Sequence, residues 1–245
     1  MNIKNIFRKG IFALLVGATA LVACSKNSDN GKEPVPQGEY DINIGGVEVT
    51  SANYQNIAKP TFPAVKRGKI TYDPINRVLT LENAIIDGGK DEKALILKPR
   101  SGNSLTVKVI GNNKLTARND VVFIQSSIPV TLTGGGALKL ESNDYKALYI
   151  SNSMLSSFTI EGCNVNIYGK NGAIRGSDNG ILIIRNASVT AGCKESNYCI
   201  SEIAALRMEG CAITQPDGAA FDATLKGVAK DGNLVKGKVV IDPTP

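Results

Sequence analysis

The chain has 245 residues, with 28 basic and 22 acidic side chains for a net charge of +6, and it contains neither histidine nor tryptophan. The lack of histidine excludes Ser-His-Asp and Cys-His nucleophile arrangements, histidine metal sites and histidine pH switches. Any chemistry would rest on carboxylates, Lys, Arg or Tyr.

Residues 1–23 read as a bacterial export signal. Lys4, Arg8 and Lys9 form a basic start without one acid, and Gly10 to Ala23 is an apolar run too short to anchor by spanning a bilayer. Leu21-Val22-Ala23-Cys24 has the form of a lipobox, which makes Cys24 the expected lipid attachment point and the bilayer the first expected partner. Diacylglycerol plus an N-acyl chain buries enough methylene groups for stable anchoring. Cleavage takes away three of the 28 basic side chains, leaving 25 against 22 acidic ones. That excess is small and no basic stripe carries interleaved aromatics, so nucleic acid is not an expected partner. Residues 24–38, polar and containing Pro and Gly, are expected to be a flexible tether. The predicted location is the cell envelope, lipid-anchored at the outer membrane. The residues after Cys24 carry no strongly acidic run, so periplasmic and surface orientations both stay open.

Residues 39–245 read as one domain, with an N-terminal cap over 39–77, coils over 78–224 and a C-terminal cap over 225–243. Tyr40 to Val49 predicts a hairpin turning at Gly45-Gly46, and a second hairpin turns at Asp73-Pro74-Ile75-Asn76. Beyond it lie six similar segments beginning at Leu79, Leu105, Val130, Phe158, Leu182 and Leu206, which are 26, 25, 28, 24 and 24 residues apart. A second set, beginning at Ala94, Val121, Ala147, Ala173, Cys199 and Ala220, falls between them. A weaker third set, such as Leu115-Thr116-Ala117, Leu138-Lys139-Leu140 and, last, Ile213-Thr214-Gln215, follows the first.

Each segment alternates apolar and polar residues, the period of a strand with one buried face. Three short strands per repeat, recurring about every 25 residues with Gly/Asn/Ser corners, predict an all-β fold. The fold class is a right-handed parallel β-helix of about six coils with three strands per coil, capped by hairpins. The hand follows from the crossover rule. A β-sandwich would give similar strands but has no reason to put Thr80, Thr106, Thr131 and Thr159 at one outward position. Outward Glu161, Arg185 and Glu209 predict a ladder of alternating charge. The C-terminal cap is a strand pair around Asp231-Gly232-Asn233.

The segment running from Gly45-Gly46-Val47, the Thr-Tyr-Asp-Pro hairpin and the recurring Leu-Thr-Leu/Val coils resemble repeat-bearing, β-helical surface lipoproteins of Bacteroides and relatives. They are similar, more distantly, to the carbohydrate-binding β-helix domains of gut and cellulolytic bacteria. The resemblance covers roughly Tyr40 to Pro243 and implies fold and location; its motifs are structural repeats and specify no active site.

With Cys24 lipidated, four cysteines remain. Cys163 and Cys211 share a coil position two coils apart, about 9–10 Å, beyond disulfide reach of about 7 Å, and read as small buried fillers. Cys193 and Cys199 flank one corner and are the candidate disulfide. No cysteine spacing fits zinc, so no metal and no cofactor is expected.

A glycosidase needs two carboxylates about 5–9.5 Å apart, and a calcium-assisted lyase needs clustered acids with a base. The outward column of the second set instead reads Ile96, Phe123, Tyr149, Arg175, Ser201 and Asp222, with one acid. Asp87, Asp91 and Glu92 read as a solvated corner ahead of a calcium site, and Gly134-Gly135-Gly136 lacks the context of a phosphate loop. No catalytic residue is therefore assigned. The candidate ligand surface is Ile96, Phe123, Tyr149 and Arg175, an aromatic pair flanked by an aliphatic and a cation, suited to a sugar ring or a partner protein. The expectation is a monomeric, non-catalytic glycan-binding or adhesion module, with glycan ahead of surface protein. A β-helix lyase or glycosidase, and a spacer without a ligand, are the alternatives.

Overall fold

The computed structural model describes residues 34–151, 157–194 and 196–244. The predicted export signal, Cys24 and the tether up to residue 33 lie outside the described residues. Those described form strands, turns and bends without a helix. The strands stack as a parallel β-solenoid whose three faces correspond to the three sets of repeats.

The second face is the simplest. Leu95–Leu97, Val122–Ile124, Leu148–Ile150, Ile174–Gly176 and Ile200–Ser201 pair in parallel, one directly above the next. They define five turns where the repeat count predicted about six. The sixth coil begins, since Ala205–Glu209 still stacks in parallel on Ile181–Arg185, but it does not close. Lys238–Pro243 enters antiparallel between Ser188–Cys193 and Cys211–Gln215, so Ile213 never sits over Val189. The run Val239-Val240-Ile241 is a stronger strand former than Ile213-Thr214-Gln215, and Pro216 lacks the N–H to extend a ladder. Val239 and Ile241 are fully buried opposite Ala191 and Val189. Ala220–Asp222, expected as the sixth strand of the second face, pairs instead with Gly227–Lys230 in a separate three-stranded sheet.

Both predicted N-terminal hairpins are present. Glu39–Ile44 turns at Gly45-Gly46 and pairs antiparallel with Leu95–Leu97, covering the open edge of the second face. Val65–Asp73 does the same for Val78–Asp87, the strand that starts both the first and third faces. Its turn is held by Asp73 Oδ1, which accepts from the N–H groups of Ile75 and Asn76 at 3.0 Å. Edges that would otherwise template foreign strands are thus paired.

The first and third faces meet at a sharp bend that needs a left-handed residue. Asn83, Gly111, Gly135, Gly162, Asn186 and Gly210 fill it with φ between 43° and 73°, and Gly and Asn are the residues that visit this region at low cost. The bends at Asn83 and Gly111 free backbone groups, and the buried Asn113 serves one at each: its Oδ1 accepts from Ala84 N–H at 2.8 Å and its Nδ2 donates to Ile110 O at 3.1 Å.

Two registers differ from the repeat alignment, and Asn113, inward opposite Leu138, accounts for the second. Leu79 pairs with Val107 and not with Leu105, and Leu115 pairs with Leu140 and not with Leu138. Both slips are by two residues, so inward side chains stay inward. The threonine column changes with them: Thr106, Thr131 and Thr159 share one rung, while Thr80 stands beside Lys108. Inside, Leu81, Leu97, Leu115, Leu148 and Phe158 surround a void of only about 20 Å³, room for about one water. Function therefore belongs to the outer surfaces.

Candidate functional site

The second-face strands are three residues long, so each presents one outward side chain. Register places Ile96, Phe123, Tyr149 and Arg175 on consecutive rungs, and the four predicted surface residues form one column. All four are half-buried. The Phe123 and Tyr149 rings are 5.6 Å apart between centroids and tilted by 52°. Lys146 Nζ lies 4.3 Å from the Tyr149 ring centroid and Lys93 Nζ lies 5.4 Å from that of Phe123, within cation–π range. Arg175 pairs with Glu202, and its Nε is buried without a hydrogen-bond partner among the described residues.

Asp222 is not part of this column. Its Oδ1 accepts from the N–H groups of Thr224 and Leu225 and holds a turn of the capping sheet, so Arg175 finds Glu202 in its place. Lys93 and Lys146 carry a signal in the sequence: both stand in the recurrent Lys-Ala-Leu at 93–95 and 146–148, which enters the second face.

The predicted charge ladder forms on the first face. Arg185 bridges Glu161 at 3.4 Å and Glu209 at 2.6 Å. Bonding to Arg185 holds the Glu209 carboxyl below its ordinary range, and Glu209 in turn raises the Arg185 guanidinium. The ladder is a run of ion pairs of alternating sign across three coils.

The third face carries a feature the repeat alignment hid. With the corrected register, Arg67, Ile85, Lys114, Lys139, Asn166 and Thr190 occupy one continuous outward row. They line a groove of about 520 Å³ together with residues of the neighbouring row, including Asn164 and Ser188. A second hollow of about 580 Å³ shares Lys114 and continues to Lys90, Arg118 and Asp144. Glu141 lies between Lys114 and Lys139, 2.6 Å from each ammonium. Asp144 lies between Arg118 at 2.6 Å and Lys170 at 3.1 Å. Hydrogen bonds from these cations hold both carboxyls below their ordinary range.

The acidic corner is dispersed. Asp87 Oδ1 accepts from Thr116 Oγ1 at 3.0 Å, and Glu92 packs over Gly46. Among the described residues no three Cys, Asp or Glu side chains converge as a metal site. Cys163 and Cys211 are free and buried, and burial pushes the Cys163 thiol up to about 11. Cys211 Sγ lies 3.4 Å from Ala187 N, filling the space under the neighbouring coil. Cys193 and Cys199 are free thiols with sulfurs 2.6 Å apart. The Cys199 thiol supports the charged form of Cys193, lowering its pKa, while this pairing and burial raise that of Cys199.

Comparison with protein-family models, curated proteins and solved structures gives no match for this chain.

Proposed function

We propose that this chain is a lipid-anchored, non-catalytic binding protein of the bacterial envelope that docks a saccharide on the second face, as its likeness to surface β-helix lipoproteins suggests. The observation that carries the reading is the registered column Ile96, Phe123, Tyr149 and Arg175, whose two rings stand side by side in contact. Tilted aromatic edges backed by cations suit the apolar face of a sugar ring and its hydroxyl rim. Cys24 supplies the anchor in this reading, and an oxidising envelope closes Cys193 and Cys199 as a disulfide.

The test is a glycan array probed with the purified protein and with the Phe123→Ser/Tyr149→Ser variant. The parent binds a defined set of glycans and the variant loses them while its fold is retained. A variant that keeps its binding while losing stability makes the column structural. Acyl labelling lost on Cys24→Ala, and thiols at Cys193 and Cys199 that react only after reduction, check address and compartment in the same preparation.

A further inference from the structure

We propose that the third-face groove is a separate binding site for an acidic saccharide, a sugar chain bearing carboxylate or sulfate groups. It extends the reading of this chain as a saccharide binder but stands on another face and does not depend on the Phe123–Tyr149 column.

The row through the groove changes chemistry along the solenoid. Arg67, Lys114 and Lys139 occupy the end nearer the N-terminal cap, and Asn166 and Thr190 the other. Parallel strands lie about 4.8 Å apart, so from Lys114 onward two lysines, an amide and a hydroxyl succeed each other at the spacing of the coils, with Ile85 between Lys114 and Arg67.

The carboxylates in this region do not neutralise it. Glu141 is shared by Lys114 and Lys139, and Asp144 by Arg118 and Lys170. Each trio therefore keeps one net positive charge, and Arg67 and Lys90 stand in no ion pair among the described residues. An ammonium has three donors, so a lysine oriented by one carboxylate still has donors for a second anion. The acid thus fixes the two lysines side by side, spanning a rung, without cancelling their field. Concave surfaces of one sign concentrate that field on a ligand of the other.

The far end suits neutral sugar hydroxyls. Among the described residues no group hydrogen-bonds the side chains of Asn164, Asn166 or Thr190, and the first two amides each offer a donor pair and an acceptor. Beside them is Tyr168, 44% exposed and in register with Glu141 on one side and Gly192 on the other. A Cβ on Gly192 would stand 3.3 Å from the ring's Cδ2, so the glycine leaves the ring a flat seat over the backbone. A tyrosine held this way is a stacking surface for one sugar ring. Single-stranded nucleic acid would need a row of such platforms, and one tyrosine does not supply it.

Isothermal titration tests the proposal with four probes: oligogalacturonate, the same oligomer methyl-esterified, a heparin-derived oligosaccharide, and single-stranded DNA of equal charge. One or both acidic sugars bind, more weakly as salt rises, and esterification weakens oligogalacturonate about tenfold or more. Lys114→Gln/Lys139→Gln weakens the acidic sugar by about tenfold or more with an unchanged melting curve, and Tyr168→Ala weakens it as well. The Phe123→Ser/Tyr149→Ser variant keeps this binding, so failure of the second-face reading leaves the groove standing and the reverse. The proposal is overturned if neither acidic sugar binds, if the lysine variant binds like the parent, or if DNA binds more tightly than both sugars.

Discussion

The second and third faces are built by the same device, one outward side chain stacked on its equivalent in the next coil, and they use it in opposite ways. On the second face the outward groups pack on one another: Lys146 stands against Tyr149, Lys93 approaches Phe123, and Arg175 takes Glu202. On the third face the strands reach six residues, as in Ala137–Ser142, and present three outward rows instead of one. The middle row cannot be covered by corner residues. Strand length in a parallel solenoid thus sets how a ladder is flanked: on a narrow face residues from the corners pack beside it and leave it half-exposed, and on a wide one the middle row stands clear of them.

The largest expected effect comes from where the two faces cease to differ. Leu115 under the third face and Leu148 under the second are fully buried in one core. Truncating either to Ala removes similar contacts, and urea unfolding should show each variant losing about 2–5 kcal/mol. Loss confined to one of them would mean that the faces are separately stable units. A smaller effect separates the outsides. Phe123→Ser and Tyr149→Ser should each lose about 1 kcal/mol, since half-buried rings contribute part of a full burial, whereas Lys114→Gln/Lys139→Gln should stay within about 0.5 kcal/mol. Equal losses from the two variants would remove the distinction between a column packed on its own neighbours and an open groove. The smallest effect is acidic. The carboxyls of Glu141 and Asp144 have folded pKa values below their ordinary ones, so their stabilisation is present at neutral pH and is lost as pH falls through the ordinary carboxylate range and below. Both are solvent-screened, so the melting temperature should decline slightly over that window. Replacing both by amides should flatten the decline.

The solenoid, its three faces and the Phe123–Tyr149 neighbours were legible because an inward apolar residue at every second position leaves a mark in each repeat. Phase was less legible. A slip of two residues keeps every side chain on its own side, so nothing in the alternation distinguishes Leu138 from Leu140 as the partner of Leu115. The decision rests with Asn113, a polar residue at an inward position, whose role in serving Ala84 N–H depends on a bend that composition does not show. The lysine row was lost with that phase. The end of the solenoid was obscured for another reason: Cys211–Gln215 carries the repeat pattern, and a strand from outside the repeats competes for the same edge and takes it.

That inserted strand also sets an order of events. Ser188–Cys193 has its antiparallel partner in Lys238–Pro243, some fifty residues further along the chain. During synthesis the earlier coils can stack as they emerge, each on the one before, while the upper edge of the third face waits for residues 238–243 to be made. A chain interrupted before residue 238 would carry most of its coils and leave that edge to the weaker Cys211–Gln215 or to a strand of another copy, the form in which such a protein is open to pairing with its own kind.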